Sequence, residues 1–309
     1  MPPILNGRPT QLPSHENRLF PNATGLKIAA NVFFPENFDE SKQYPAILVG
    51  HPAGGVKEQT AGLYAERLAK LGYVTLAFDA THQGESEGLP PQLEEPANRV
   101  EDFRATVDYL TTLPYVDKAR IGAVGICASG SYGFAAFATD HRIKAYATIS
   151  GADIGMTFRQ GWRGMQEVSA VFPLIDMIGN QRTDEAAGGE QAQGTWVPFD
   201  PQDKTVDPEL LEGHDYYRTP RAGHERSPSK FPLVNFDRLL AFTAFNLVDM
   251  VNRPILFIAG SKAGTRWMSD QTYTNIKHAD KELFHVEGAS HFDMYDKEPY
   301  VSQATEKMG

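Results

Sequence analysis

The amino-acid sequence predicts an α/β fold: a mostly parallel central sheet with helices on both faces, and a helical cap inserted late in the chain. Three observations carry this expectation. Short apolar runs alternate with segments of helical periodicity. The alternation fails once, between about residues 152 and 252. One apolar run ends in a glycine-flanked cysteine followed by small residues, which reads as a strand, a tight turn and a helix.

Residues 26–34 read as a strand that stops before Pro35, and residues 44–50 as a short buried strand. A helix is expected over 56–71, where Tyr64, Leu68 and Leu71 share a face and Gly72 ends the run. Residues 73–78 form another buried strand. Val100, Phe103, Val107 and Leu110 recur at helical spacing between Pro96, which suits a first turn, and Pro114, beyond the end. Strands over 121–126 and 143–149 come next. A strand over 255–259, a helix near 267–276 and a strand over 282–286 complete the pattern. Such buried strands between amphipathic helices fit a parallel sheet covered on both sides.

Residues 152–252 carry Trp162, Trp196, several Met and Phe residues and a polar middle over 182–193. Phe236, Leu239, Leu240, Phe242 and Phe245 form a periodic run. Aromatic content of this kind marks a packed helical cap rather than a floppy linker. The core is then residues 1–151 and 253–309, and the cap residues 152–252.

The chemistry centres on Gly125-Ile126-Cys127-Ala128-Ser129-Gly130. A lone cysteine is most often a small buried hydrophobe. Cys127, however, ends a strand, opens a helix and has glycine two before and three after it, the layout of a nucleophile elbow with a thiol in place of the usual hydroxyl. A dinucleotide fingerprint is excluded because the middle glycine is missing. A helix N-terminus and a nearby imidazole favour a thiolate. His291, in Gly288-Ala289-Ser290-His291 after the final strand, is placed to be that imidazole.

An oxyanion hole is expected from the N–H of Ala128 and that of Ala53, in His51-Pro52-Ala53-Gly54-Gly55. Pro52 has no N–H to offer. His51 is read as orienting this turn, and Asp79 as bracing it. The acid that would orient His291 is not evident, because Ser261-Lys262-Ala263-Gly264-Thr265-Arg266 holds no carboxylate. Asp270 and Asp153 stand as equal alternatives.

Formal net charge is −10, from 39 acidic and 29 basic residues, with no basic run, which argues against a nucleic-acid partner. No stretch approaches the roughly 20 apolar residues of a membrane span, and residues 1–20 show no secretory signal. One cysteine excludes an internal disulfide framework and fits a reducing compartment. No second cysteine and no paired-histidine spacing points to a metal site. A soluble, cytoplasmic chain without cofactor or metal is expected, with a small-molecule acyl substrate. The oligomeric state stays open, a dimer being one reading.

His51-Pro52-x-Gly54-Gly55, Phe78-Asp79-Ala80-Thr81-His82-Gln83-Gly84, Arg99-Val100-Glu101-Asp102-Phe103-Arg104, Gly125-Ile126-Cys127-Ala128, Tyr216-Tyr217-Arg218-Thr219-Pro220-Arg221 and His291-Phe292-Asp293-Met294-Tyr295-Asp296 resemble the dienelactone-hydrolase-like branch of the α/β hydrolases. The likeness is to its bacterial and fungal polyketide transferase and hydrolase group, from about residue 24 to 296. The resemblance implies the α/β hydrolase fold and a Cys-His-Asp triad acting on esters, lactones or thioesters, with no cofactor. Cys127 is then nucleophile and His291 base. An acyltransferase passing the acyl group to an alcohol or amine is the alternative within the same chemistry. A non-catalytic ligand-binding member of the fold is the alternative outside it, and carbon–carbon or carbon–halogen chemistry is a more distant one.

Overall fold

The computed structural model describes residues 15–309, together with the two-residue strands Ile4–Leu5 and Arg8–Pro9. Half of residues 1–20, the stretch read above for a secretory signal, lies outside these residues.

Eight strands form one sheet: β1 (His15–Pro21), β2 (Lys27–Phe33), β3 (Tyr44–Gly50), β4 (Val74–Phe78), β5 (Val116–Ile126), β6 (Ile143–Ile149), β7 (Ile255–Gly260) and β8 (Lys281–Val286). Their spatial order is β1-β2-β4-β3-β5-β6-β7-β8. The β1–β2 and β2–β4 pairs are antiparallel and the rest parallel. This is the α/β hydrolase fold.

Alternation along the strands fills two apolar layers. Ala46 and Leu48 of β3 face one side, while Val49 faces the other. The first layer is closed by α2 (Pro96–Thr112), α3 (Ser129–Thr139) and α8 (Arg266–Asn275), through residues such as Phe103, Phe137 and Met268. The second is closed by α1 (Thr60–Ala69) and α10 (Tyr300–Met308), through Tyr64, Leu68, Val301 and Ala304.

Between β6 and β7 the chain leaves the sheet. It forms α4 (Ile154–Gln160), α5 (Phe172–Ala186), α6 (Pro208–Arg218), α7 (Phe236–Ala241) and an antiparallel hairpin of Gln193–Thr195 with Lys230–Pro232. After β8 comes the short α9 (Asp293–Asp296).

Differences from the expected elements have local causes. Strand β1 escapes a pattern search because its sequence, His-Glu-Asn-Arg-Leu-Phe-Pro, buries only Phe20 at the edge of the sheet. Helix α1 starts at Thr60, not 56, because the Lys57 N–H goes to Asp79 Oδ1 at 2.7 Å. The periodic run over 236–245 is not one helix. The Asp153 carboxylate takes the N–H of Ala244 at 2.7 Å and of Phe245 at 3.2 Å, which turns the chain after α7.

Candidate active site

Cys127 sits between β5 and α3 with φ +53°, a left-handed conformation for a non-glycine residue. Its carbonyl accepts from the N–H of Gly130 at 2.7 Å and of Ala152 at 2.9 Å, so the turn is held from both sides. The flanking glycines are required by contact rather than by torsion. A Cβ on Gly125 would lie 2.1 Å from the Tyr146 hydroxyl and 2.2 Å from the Ser129 carbonyl, and one on Gly130 would lie 2.6 Å from Gly151 Cα.

Three groups stand around the Cys127 sulfur and favour its thiolate: the N–H of Ala128, the N–H of Ala53 and the Tyr295 hydroxyl. The two backbone donors are the pair expected from the sequence. Burial nonetheless pushes the thiol above its ordinary pKa, outweighing these groups, and the charge of Glu94 adds to the rise.

The loop carrying Ala53 is braced from below. The His51 Nε2 accepts from the Ala80 N–H at 3.0 Å, so its Nδ1 carries the proton and donates to the Pro52 carbonyl at 2.6 Å. Burial, then the Arg99 charge, hold this ring neutral. Arg99 donates to the His51 carbonyl at 2.7 Å and to Ser129 Oγ at 2.9 Å, tying the loop to the elbow. Asp79 binds the Lys57 ammonium at 2.8 Å and the Glu85 N–H at 2.9 Å, which fixes the segment after the loop. Among the described residues Glu58, Asp79 and Glu85 come within reach of one cation, and the Lys57 ammonium holds that place at 2.6–2.8 Å.

His291 is fully buried. Its Nδ1 lies 2.7 Å from Thr265 Oγ1, and its Nε2 lies 3.0 Å from the Tyr295 hydroxyl. Burial lowers its pKa to about 3. Both ring nitrogens thus meet hydroxyl groups, and among the described residues no carboxylate bonds the ring.

Neither of the two acids expected to orient the imidazole bonds its ring in the structure. Asp270 bonds His285 Nε2 at 2.8 Å and Arg266 Nε at 3.2 Å on the far side of α8. Asp153 caps α4 through the Met156 N–H at 3.0 Å and braces the 243–245 turn, where Thr243 Oγ1 lies at 3.0 Å. Each is consumed by local structure, and Thr265 takes the place beside the imidazole.

A carboxylate does come to this loop, from the cap. Glu209 Oε2 accepts from the Gly264 N–H at 2.7 Å and from Trp162 Nε1 at 2.6 Å, and its Oε1 accepts from the His291 backbone N–H at 2.6 Å. It holds the histidine's main chain, not its ring. Gly264 is glycine because Trp162 lies against it: a Cβ there would be 2.4 Å from Trp162 Cδ1. Trp162 also packs on the His291 ring, with centroids 4.8 Å apart.

The sequence does not single out Thr265, Tyr295, Tyr217, Glu94 or Glu209. The first four have no spacing that separates them from structural residues. Glu209 is brought in from 82 residues before His291. Tyr295 does stand four residues after His291, inside the quoted motif. Glu94 is a fully buried carboxylate facing the Gly54 N–H and the Tyr132 hydroxyl, with Arg99 Nε at 3.4 Å.

A hollow of about 580 Å³ lies elsewhere, lined by Ile47, Gly122, Ala145 and Leu256. It faces the opening residues of β7 and β8, whereas ligands of open α/β sheets bind beyond the carboxyl ends of the strands, where Cys127 stands. It plays no part in this chemistry.

A sequence model of the Dienelactone hydrolase family matches residues 28–170. The chain is 43% identical to the uncharacterized protein YcjY of Escherichia coli (strain K12) over 284 residues, 92% of each chain. The chain belongs to the dienelactone hydrolase family. It is a hydrolase-type enzyme by that membership. The crystal structure of hypothetical protein PA2218 from Pseudomonas aeruginosa superposes with a TM-score of 0.86 at 32% identity, covering 99% of both chains. The thiohydrolase aneE of Aspergillus aculeatus is 31% identical over 141 residues, 46% of this chain and 42% of its own. No helix among the described residues is long and apolar enough to cross a membrane.

Proposed function

We propose that this hydrolase cleaves acyl esters, lactones or thioesters through a covalent acyl-enzyme on Cys127, with His291 as the base. The observation that carries this reading is the convergence of the Ala53 and Ala128 N–H groups on a strained, elbow-borne sulfur. A carbonyl approaching that sulfur would place its oxygen beside the same two donors as negative charge develops. The sulfur forms the new bond to the acyl carbon, and its proton passes to the imidazole. The tetrahedral intermediate then expels the alkoxide or thiolate, which takes the proton back. Water, losing its proton to the same imidazole, releases the acid and restores the thiol. The partial likeness to a protein named as a thiohydrolase supports thioesters within this class.

The resting site is uncharged at its centre. The thiol pKa is raised and the imidazole pKa lowered, so the thiolate–imidazolium pair forms only as the carbonyl is attacked. A second reading, binding without turnover, is favoured by one observation: the imidazole has a hydroxyl rather than a carboxylate as its partner.

The test is intact-mass analysis after mixing with p-nitrophenyl acetate and with a short acyl thioester. Acyl transfer predicts one acyl group on Cys127 and product release, both abolished by Cys127→Ala. Turnover that survives Cys127→Ala refutes the nucleophile. Tight binding of the thioester with neither adduct nor product establishes the second reading.

A further inference from the structure

We propose that the Tyr295 hydroxyl is the proton carrier between Cys127 and His291. The inference rests on the acyl-enzyme reading above and deepens it. Among the described residues no hydrogen bond joins the sulfur to the imidazole; the Tyr295 hydroxyl lies 3.0 Å from His291 Nε2 and stands close enough to the Cys127 sulfur to bias its proton. A hydroxyl is suited to this place because it accepts one proton while giving another.

The chain of donors has one consistent direction. The thiol S–H donates to the Tyr295 oxygen, the Tyr295 O–H donates to Nε2, and the Nδ1–H donates to Thr265 Oγ1 at 2.7 Å. On attack, the S–H bond breaks as sulfur bonds the acyl carbon. That proton joins the Tyr295 oxygen, and the phenol's own proton joins Nε2. Tyrosine is neutral before and after, and the imidazole becomes imidazolium. The reverse shift delivers a proton towards the leaving group. No phenolate forms, in keeping with a hydroxyl whose buried surroundings push its pKa up.

The fold immobilises this hydroxyl to a degree that packing alone would not need. The Tyr295 carbonyl accepts from Thr60 Oγ1 at 2.9 Å, and the Met294 carbonyl from the Tyr64 hydroxyl at 2.7 Å. Arg221 donates to Asp296 Oδ2 at 3.0 Å and to the Phe292 carbonyl at 3.0 Å, gripping α9 at both ends. Tyr217, from the cap, stands beside the Tyr295 ring with centroids 6.4 Å apart, and its hydroxyl has no well-formed hydrogen bond. Tyr216, Tyr217 and Arg221 of the segment 216–221 thus surround Tyr295 and its short helix.

The test is the acylation rate of Cys127 by p-nitrophenyl acetate, followed as the p-nitrophenol burst from pH 5.5 to 9.5. Tyr295→Phe keeps the ring and removes the carrier. The expected loss is about 100-fold at pH 7, within the range of a general acid–base group. The remaining acylation should rise tenfold per pH unit, because the thiol must then ionise unaided. A spacer role predicts a smaller loss with the wild-type pH profile, and that result overturns the proposal. Tyr295→Phe in a His291→Ala background should cost nothing further if both act on one proton path; an additive loss also overturns it. Should the phenylalanine variant not fold, 3-fluorotyrosine inserted at 295 preserves ring size and changes the phenol's acidity. A carrier then alters the acylation rate at pH 7 at least about threefold, and an unchanged rate refutes it. Absence of any Cys127 adduct in the wild type would instead sink the acyl-enzyme reading itself.

Discussion

Thr265→Val is the sharpest test of the proposed chemistry, in which a hydroxyl and no carboxylate partners the imidazole. Valine nearly matches threonine in volume, and Thr265 is 1% exposed, so the change removes one oxygen and little else. The Nδ1–H of His291 then loses its acceptor at 2.7 Å inside a fully buried site. A buried donor left unpaired costs about 1–3 kcal/mol, and a bond to a charged donor is at the upper end. In the proposed mechanism the charged imidazolium exists only during attack, so the larger part of the loss falls on the transition state. At about 1.4 kcal/mol per decade, acylation should slow roughly 10- to 100-fold. Urea unfolding should show a stability loss of about 1–2 kcal/mol. Thr265→Ser, which returns the oxygen, should restore most of both. The assay is the p-nitrophenol burst alongside urea melts. If Thr265→Val acylates within about threefold of wild type, less than the one decade that about 1.4 kcal/mol represents, the Nδ1 contact does not orient the base.

Four further outcomes follow from the same geometry. Asp270→Asn should leave the burst rate within about threefold of wild type, because its carboxylate serves His285 and Arg266; a loss like that of a missing triad acid would restore it to the triad. Asp153→Asn keeps the helix-cap acceptor but sets an amide N–H against the Ala244 and Phe245 N–H groups; it should lower urea stability by about 1–3 kcal/mol while the burst rate per folded molecule stays unchanged. Glu209→Gln sets an amide N–H against backbone donors and should destabilise by about 2–4 kcal/mol, read by urea melts, with unchanged stability counting against the clamp. His291, with a folded pKa of about 3 against 6.5 for the free ring, binds fewer protons folded than unfolded between those values. Its contribution to stability is therefore whole above pH 6.5 and is lost as pH falls towards 3. His291→Gln should remove a pH effect on the order of 3 kcal/mol between pH 6.5 and 4, seen by comparing urea midpoints. Asp102, whose burial raises its pKa to about 6, contributes the opposite slope but is common to both proteins and cancels. Parallel curves for the two would show that the imidazole is not held neutral by the fold.

The sheet was legible because its strands bury both faces and its helices alternate with them, so periodicity carries the information. Residues 44–50 and 143–149 end where the structure ends them. The elbow was legible for a different reason: Gly125 and Gly130 mark two places where backbones touch, and a cysteine between them has few structural explanations. The oxygen beside the His291 ring was not legible because position along the chain is a poor guide to which oxygen reaches a ring. Asp270 follows the correct strand, yet α8 turns it outward to His285. Asp153 follows another suitable strand, yet an N-cap claims it. Thr265, the residue that does meet Nδ1, is one of many threonines to a pattern search.

The cap explains why the core alone reads as incomplete. It contributes the carboxylate that holds the His291 main chain, the indole that packs on the His291 ring, and the arginine that anchors the helix bearing Tyr295. A second cap indole, Trp196, lies so close to the oxyanion loop that a Cβ on Gly54 would fall 2.4 Å from its Cδ1. The two halves of the site, donors on one side and base on the other, are thus each pressed into place by a different tryptophan of the same inserted segment. A substitution at Trp162 or Trp196 therefore loosens the packing on the His291 ring or on the loop carrying Ala53, and under the proposed chemistry should lower the acylation rate of Cys127.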